Sequence, residues 1–196
     1  MAKEKESKKD NAENSAVEYT QKFLDTRSVL VFGEVNKDLA EKCVKQLLIL
    51  DQINNEPIKV FIDSPGGDID AGFAIFDTMR YVDSPVYAIV MGLAASMGAM
   101  ILLAAEKDKR LGFEHSRYLI HQPLSGIRGV ATEIEIHARE LEKYRQKINE
   151  IIAKETGKKI DQVAKDTDRD FWLNAKEAKD YGLISRVVQK KSEIIR

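Results

Sequence analysis

Residues 86 to 105, VYAIVMGLAASMGAMILLAA, run for 20 positions without a charge in a chain where charged residues make up 32%. That length matches the span of a bilayer. Gly92, Gly98 and Ser96 interrupt it, and β-branched residues give way to Ala, Met and Leu along it. The stretch therefore reads as a buried strand over 86–91, a small-residue turn, GLAASMGA at 92–99, and a buried helix over 96–106. A chain that must bury strand, turn and helix together is committed to a layered α/β core.

Ser96 stands at the head of that helix. A strand-to-helix turn holds the hydroxyl clear of its own backbone, and the first N–H groups of the helix point where an oxyanion would develop. AASMG is a relative of G-x-S-x-G with Ala in the first glycine position. A serine at a helix start is more commonly an N-cap. A nucleophilic serine also needs a base and an orienting acid. Of three histidines, His121 ends the apolar run YLI (118–120), His115 lies in the polar turn FEHS, and His137 sits among charged helical residues. His121 is the one that a rigid strand end can aim into a cleft. For the acid, DTDRDFW (166–172) offers Asp166, Asp168 and Asp170; Asp170 abuts Phe171, Trp172 and Leu173, where burial would hold its carboxylate. Spacing alone does not choose among the three.

GLAASMGA, IDSPGGDIDAG (62–72), YLIHQPLSGIRGVATEIEIHAREL (118–141) and DTDRDFWLNAKEAKDYGLI (166–184) together resemble the Clp protease proteolytic subunit, ClpP, over about residues 28 to 188. The resemblance implies a ClpP/crotonase-type fold of stacked ββα units with a protruding handle helix. It makes Ser96 the nucleophile, His121 the base and Asp170 the orienting acid, in a chain order that differs from that of α/β-hydrolases. It implies an oxyanion hole from the N–H groups of Gly67 and Met97, and a substrate-binding strand at Ser125, Gly126 and Ile127. The activity implied is serine endopeptidase cleavage of unfolded polypeptides, in a chamber of two stacked heptameric rings fed by an AAA+ unfoldase such as ClpX, ClpA or ClpC. The handle, 131–155, would interdigitate between rings, with Asp168 and Arg169 near that contact. The family uses no cofactor or metal in this subunit, and no G-x-x-x-x-G-K-[ST] motif occurs here, so ATP belongs to the partner.

The chain departs from the family where VEYTQKFLDTR (17–27) replaces a YDIYSRLL-like segment, and Lys59 stands where an aromatic is common in the unfoldase-docking pocket, with Phe61 and Tyr81 retained. These departures raise the expectation of a partnership with a paralogous ClpP subunit. The alternatives are a non-catalytic or conditionally active subunit of such a mixed ring, and a crotonase-like acyl-CoA enzyme, which would share the glycine turn but not need the Ser96/His121/Asp170 set.

Alternating strands (28–33, 58–63, 86–91, 116–121, 184–188) and helices (37–54, 68–80, 96–106, 131–155, 174–181) predict a largely parallel sheet. Residues 1–16, MAKEKESKKDNAENSA, read as a disordered charged tail, and 17–196 as one peptidase domain of a size that buries a substantial core. Lys plus Arg 31 against Asp plus Glu 32 gives no pull toward nucleic acid or an anionic membrane. Cys43, the single cysteine, lies on an apolar-periodic helix and excludes an intrachain disulfide. No apolar signal segment succeeds the charged start. Both fit a cytoplasmic setting.

Overall fold

A computed structural model describes residues 19–126 and 128–195; the expected tail at 1–16 lies outside them. After a helical turn over 19–25, the chain alternates β1 (Ser28–Phe32), α1 (Lys37–Ile53), β2 (Ile58–Ser64), α2 (Ile69–Tyr81), β3 (Val86–Ala95), α3 (Met97–Leu102), β4 (Arg110–Phe113), β5 (Arg117–Ile120), α4 (Ala131–Thr156), α5 (Ile160–Asp166), β6 (Phe171–Asn174), α6 (Ala175–Tyr181) and β7 (Arg186–Val188). The sheet order is β1-β2-β3-β4-β7, and β5 branches from β3 to pair with β6. Every pairing is parallel except β5 with β6.

Local chemistry explains the elements nearest the cleft. In β2 alternate residues Ile58, Val60, Ile62 and Ser64 are buried, the period-2 pattern of a strand with one face on the core. α1 buries Ala40, Cys43, Leu47 and Leu50 at steps of three and four, and Asn36 caps it by accepting from the Leu39 N–H. Cys43 makes a long contact to the Leu30 carbonyl, and burial pushes its thiol up to about 11. α2 starts at Asp68, whose Oδ1 accepts from the Ala71 N–H at 2.7 Å, and it buries Phe73, Phe76 and Met79. All six residues of α3 are buried, as suits a helix threaded through a core. Among the described residues no helix is long and apolar enough to cross a membrane.

The structure differs from the sequence expectation in the third strand, which continues through Gly92 to Ala95, so that the turn shrinks to Ser96 itself. The helix behind it ends at Leu102 rather than near 106. Two four-residue strands, β4 and β6, and the short α5 fall in segments without a clear period. β4 opens on a fully buried Arg110, whose guanidinium donates to the carbonyls of Ala105 (2.7 Å) and Glu155 (3.1 Å) and pairs with the Glu155 carboxylate. Arg80 reaches the other Glu155 oxygen at 2.6 Å, so the last turn of α4 is clamped to the core by two arginines. Burial alone would raise the Glu155 carboxyl; the hydrogen bonds and charges of Arg80 and Arg110 prevail and hold it below its ordinary 4.5. The opposite end of α4 stands clear: Ile134 and Ile136 are exposed, whereas Ile148 and Ile152 are buried.

Candidate active site

Ser96 has φ 53° and ψ −120°, and among the described residues only it and Arg27 are non-glycine residues with positive φ. Such a conformation persists only where surrounding structure enforces it. Here the enforcement is visible. The Ser96 N–H donates to the Leu119 carbonyl at 2.9 Å, and the Ser96 carbonyl accepts from Ala99 and Met100 to start α3. Its hydroxyl makes no capping bond. The usual helix-cap role is therefore not what this serine does.

The turn Ser64–Gly67 packs directly against this elbow. A Cβ on Gly66 would meet the Ala95 carbonyl and the Ser96 Cβ, each at 2.7 Å, and Gly66 also has φ +92°. A Cβ on Gly67 would lie 2.3 Å from the Val35 carbonyl oxygen. Ser64 is buried, donates to the Gly33 carbonyl at 2.6 Å and accepts from the Gly66 N–H at 3.1 Å. Gly67 and Met97 both border the cleft, and among the described residues neither backbone N–H has an acceptor.

The cleft itself measures about 250 Å³ and brings Ser96 and His121 to one surface. Its apolar lining includes Met100, Leu124, Ile148 and Ile152, which the sequence reading did not place there. The i, i+4 spacing of the two isoleucines was the available signal, and it reads equally well as ordinary core. His121 comes directly after the end of β5, and its Nδ1 lies 3.0 Å from Asp170 Oδ1, just ahead of β6; antiparallel pairing of Ile120 with Phe171 sets the two side by side. Asp170 is not buried by its apolar neighbours as expected: its side chain is 61% exposed, because Phe171 turns partly inward and Trp172 outward. Among the described residues no hydrogen bond joins Ser96 Oγ to His121. His115 and His137 are exposed and take no part in the cleft around Ser96.

Of the remaining candidates, Ser125 and Gly126 are exposed in the irregular segment after His121, and Ile127 lies outside the described residues. Asp168 receives Arg145 at 3.5 Å and Arg169 at 3.9 Å, and the Arg169 side chain is 91% exposed. Gln122, next to His121, fastens the loop ahead of β6, its N–H on the Thr167 carbonyl and its amide on that of Asp168, both at 2.6 Å. Lys59 and Phe61 are half-buried on one face of β2, and Tyr81 at the end of α2 is exposed. Burial and the charges of Lys191 and Arg27 hold the Lys59 ammonium below its ordinary range.

A branched, largely parallel sheet with helices defines a fold class, and a solved point mutant of ClpP1 from Listeria monocytogenes shares that fold. That chain matches with a TM-score of 0.84 at 45% identity, covering 90% of this chain and 99% of its own. The Clp protease family model matches residues 10–191. The chain is 56% identical over 190 residues to the ATP-dependent Clp protease proteolytic subunit 2 of Treponema pallidum, covering 96% of each, and 57% identical over 192 residues to that of Treponema denticola. It therefore belongs to the Clp protease family and is a peptidase subunit of the ClpP kind.

Proposed function

We propose that this subunit hydrolyses peptide bonds through Ser96, His121 and Asp170. The observation that carries the reading is the His121 Nδ1 to Asp170 Oδ1 contact of 3.0 Å, made by a histidine that borders the same cleft as Ser96. With Nδ1–H donated to Asp170, the tautomer is fixed and Nε2 is left to take the serine proton as Oγ attacks the scissile carbonyl. The oxyanion formed accepts from the Gly67 and Met97 N–H groups, two donors already free of other partners. Collapse of the tetrahedral adduct breaks the C–N bond, and His121 passes its proton to the leaving amine. Water then attacks the acyl-serine with His121 again as base, releasing the acid and restoring the hydroxyl. Ser125 and Gly126 lie beside the substrate backbone, recognising main chain more than sequence.

The subunit acts in two stacked heptameric rings in the cytoplasm, with α4 as the element between rings and Asp168 and Arg169 near the contact. An AAA+ unfoldase of the ClpX, ClpA or ClpC kind threads unfolded protein inward and uses the ATP, and this chain needs no cofactor or metal of its own. Neither nucleic acid nor membrane is a partner. The exposed Ile134 and Ile136 on the free half of α4 support the ring reading. A crotonase-like activity has no support from the family match.

A second reading is favoured by the open Ser96–His121 link and by the name subunit 2 carried by the Treponema relatives: a subunit that becomes active only beside a paralogous ClpP. Cleavage of a short fluorogenic peptide by the purified chain, lost in Ser96→Ala, supports the first reading; cleavage that appears only on adding the paralogue supports the second. Cleavage unaffected by Ser96→Ala defeats both.

A further inference from the structure

β2 and β3 keep one parallel register from Ile58 opposite Val86 to Ile62 opposite Val90, and then the register jumps so that Ser64 faces Ala94. Met91, Gly92 and Leu93 thus stand against the single residue Asp63. A bulge of this kind bends its strand and re-aims the residues beyond it. Here it coincides with a change of partner. Ahead of it β3 pairs with β4, from Ala88 opposite Arg110 to Val90 opposite Gly112; from its last residue onward β3 pairs with β5, from Leu93 opposite Arg117 to Ala95 opposite Leu119. β4 leads away to β7, while β5 leads to His121. The bulge is the point at which the strand carrying Ser96 is handed to the strand carrying His121.

Three residues against one leave the bulged backbone short of ladder partners. The Leu93 N–H finds its acceptor in Asp63 Oδ1 at 3.0 Å. Gly92, at φ +90°, lies so close to that carboxylate that a Cβ would sit 2.6 Å from the same oxygen. Asp63 is fixed in turn by its backbone, paired with Phe32 and accepting from the Gly33 N–H at 2.9 Å. It does not border the cleft.

We propose that Asp63 is a positioning residue for the reaction: its carboxylate closes the Met91–Leu93 bulge and so sets Ser96 in register with His121. This rests on reading Ser96 as the nucleophile. The bond is one acceptor to one donor, and a displacement of the serine by the order of 1 Å is enough to slow attack severely.

The test compares Asp63→Ala, which removes the acceptor, Asp63→Asn, which keeps an Oδ1, and Asp63→Glu, which keeps the charge but shifts the oxygen, with Ser96→Ala as the blank. The readouts are the rate of labelling by a fluorophosphonate, KM and kcat on a short peptide, and exchange of the Leu93 amide. The expected result is labelling slowed about 10- to 100-fold in the Ala variant and slowed also in the Glu variant. KM should be unchanged, Leu93 exchange accelerated, and the rate largely restored by Asn. Folded Ala or Glu variants that label at the wild-type rate overturn the proposal, and so does unchanged Leu93 exchange. If wild type and Ser96→Ala label alike, the nucleophile assignment fails, and Leu93 exchange still decides whether Asp63 holds the bulge.

Discussion

The two sides of the cleft are made by different means. On one, backbone meets backbone: the Ser64–Gly67 turn presses on the Ala95–Met97 elbow so closely that no side chain fits at Gly66, and Ser96 is held in a strained conformation by bonds on both sides of it. On the other, His121 and Asp170 meet through one side-chain contact near solvent, at the edge of the irregular segment that leads to α4. The first side is complete within one chain. The second leaves the Asp170 carboxylate open to solvent. One side is set by close packing of backbone, the other by a single side-chain contact.

The harshest way to break the first side is Gly66→Ala. The added methyl meets the Ala95 carbonyl at 2.7 Å in a backbone region unfavourable to alanine, a combination expected to remove about 1–3 kcal/mol of stability and to abolish labelling of Ser96. Thermal unfolding and fluorophosphonate labelling read both effects. On the second side, Asp170→Ala should leave unfolding unchanged, because its carboxylate is exposed, yet lower kcat on a short peptide by about 10²- to 10⁴-fold. A loss of stability as large as that of Gly66→Ala would erase the distinction between the two sides.

The smallest effect concerns the anchor of α4. Glu155 is held below its ordinary 4.5 in the folded chain, so over that interval the unfolded state binds more protons and stability rises with pH. Its contribution is present at neutral pH and is lost as pH falls from about 4.5 through the lower folded value. Denaturant unfolding of Glu155→Gln should accordingly show a shallower acid limb than wild type, with peptide KM unaffected near neutrality.

Much of this was legible in the amino-acid order because the features are local. α1 and α2 announce themselves by apolar steps of three and four, β2 by its apolar, β-branched run, and the Ser96 elbow by small residues between a β-branched run and a helical one. The family resemblance added what local pattern does not contain, the choice of Asp170 over Asp166 and Asp168. The illegible parts are those decided at long range. Gly92-Leu93 reads as the start of a turn, yet it is strand, because Asp63 and β5 satisfy it from elsewhere. β4 and β6 are four residues long, below the length at which a period declares itself, and the burial of Arg110 depends on Glu155 at the far end of another helix. The expectation that Asp170 is buried failed because it was drawn from sequence neighbours, whereas antiparallel pairing places the residue at the open edge beside His121.

Mass-spectrometric mapping of a fluorophosphonate adduct on the wild-type chain and on Ser96→Ala tests the central claim most directly. A single adduct on the peptide containing Ser96, absent from the variant, is the expected result. An adduct on another serine, or equal labelling of both proteins, would contradict the assignment of Ser96 as the nucleophile.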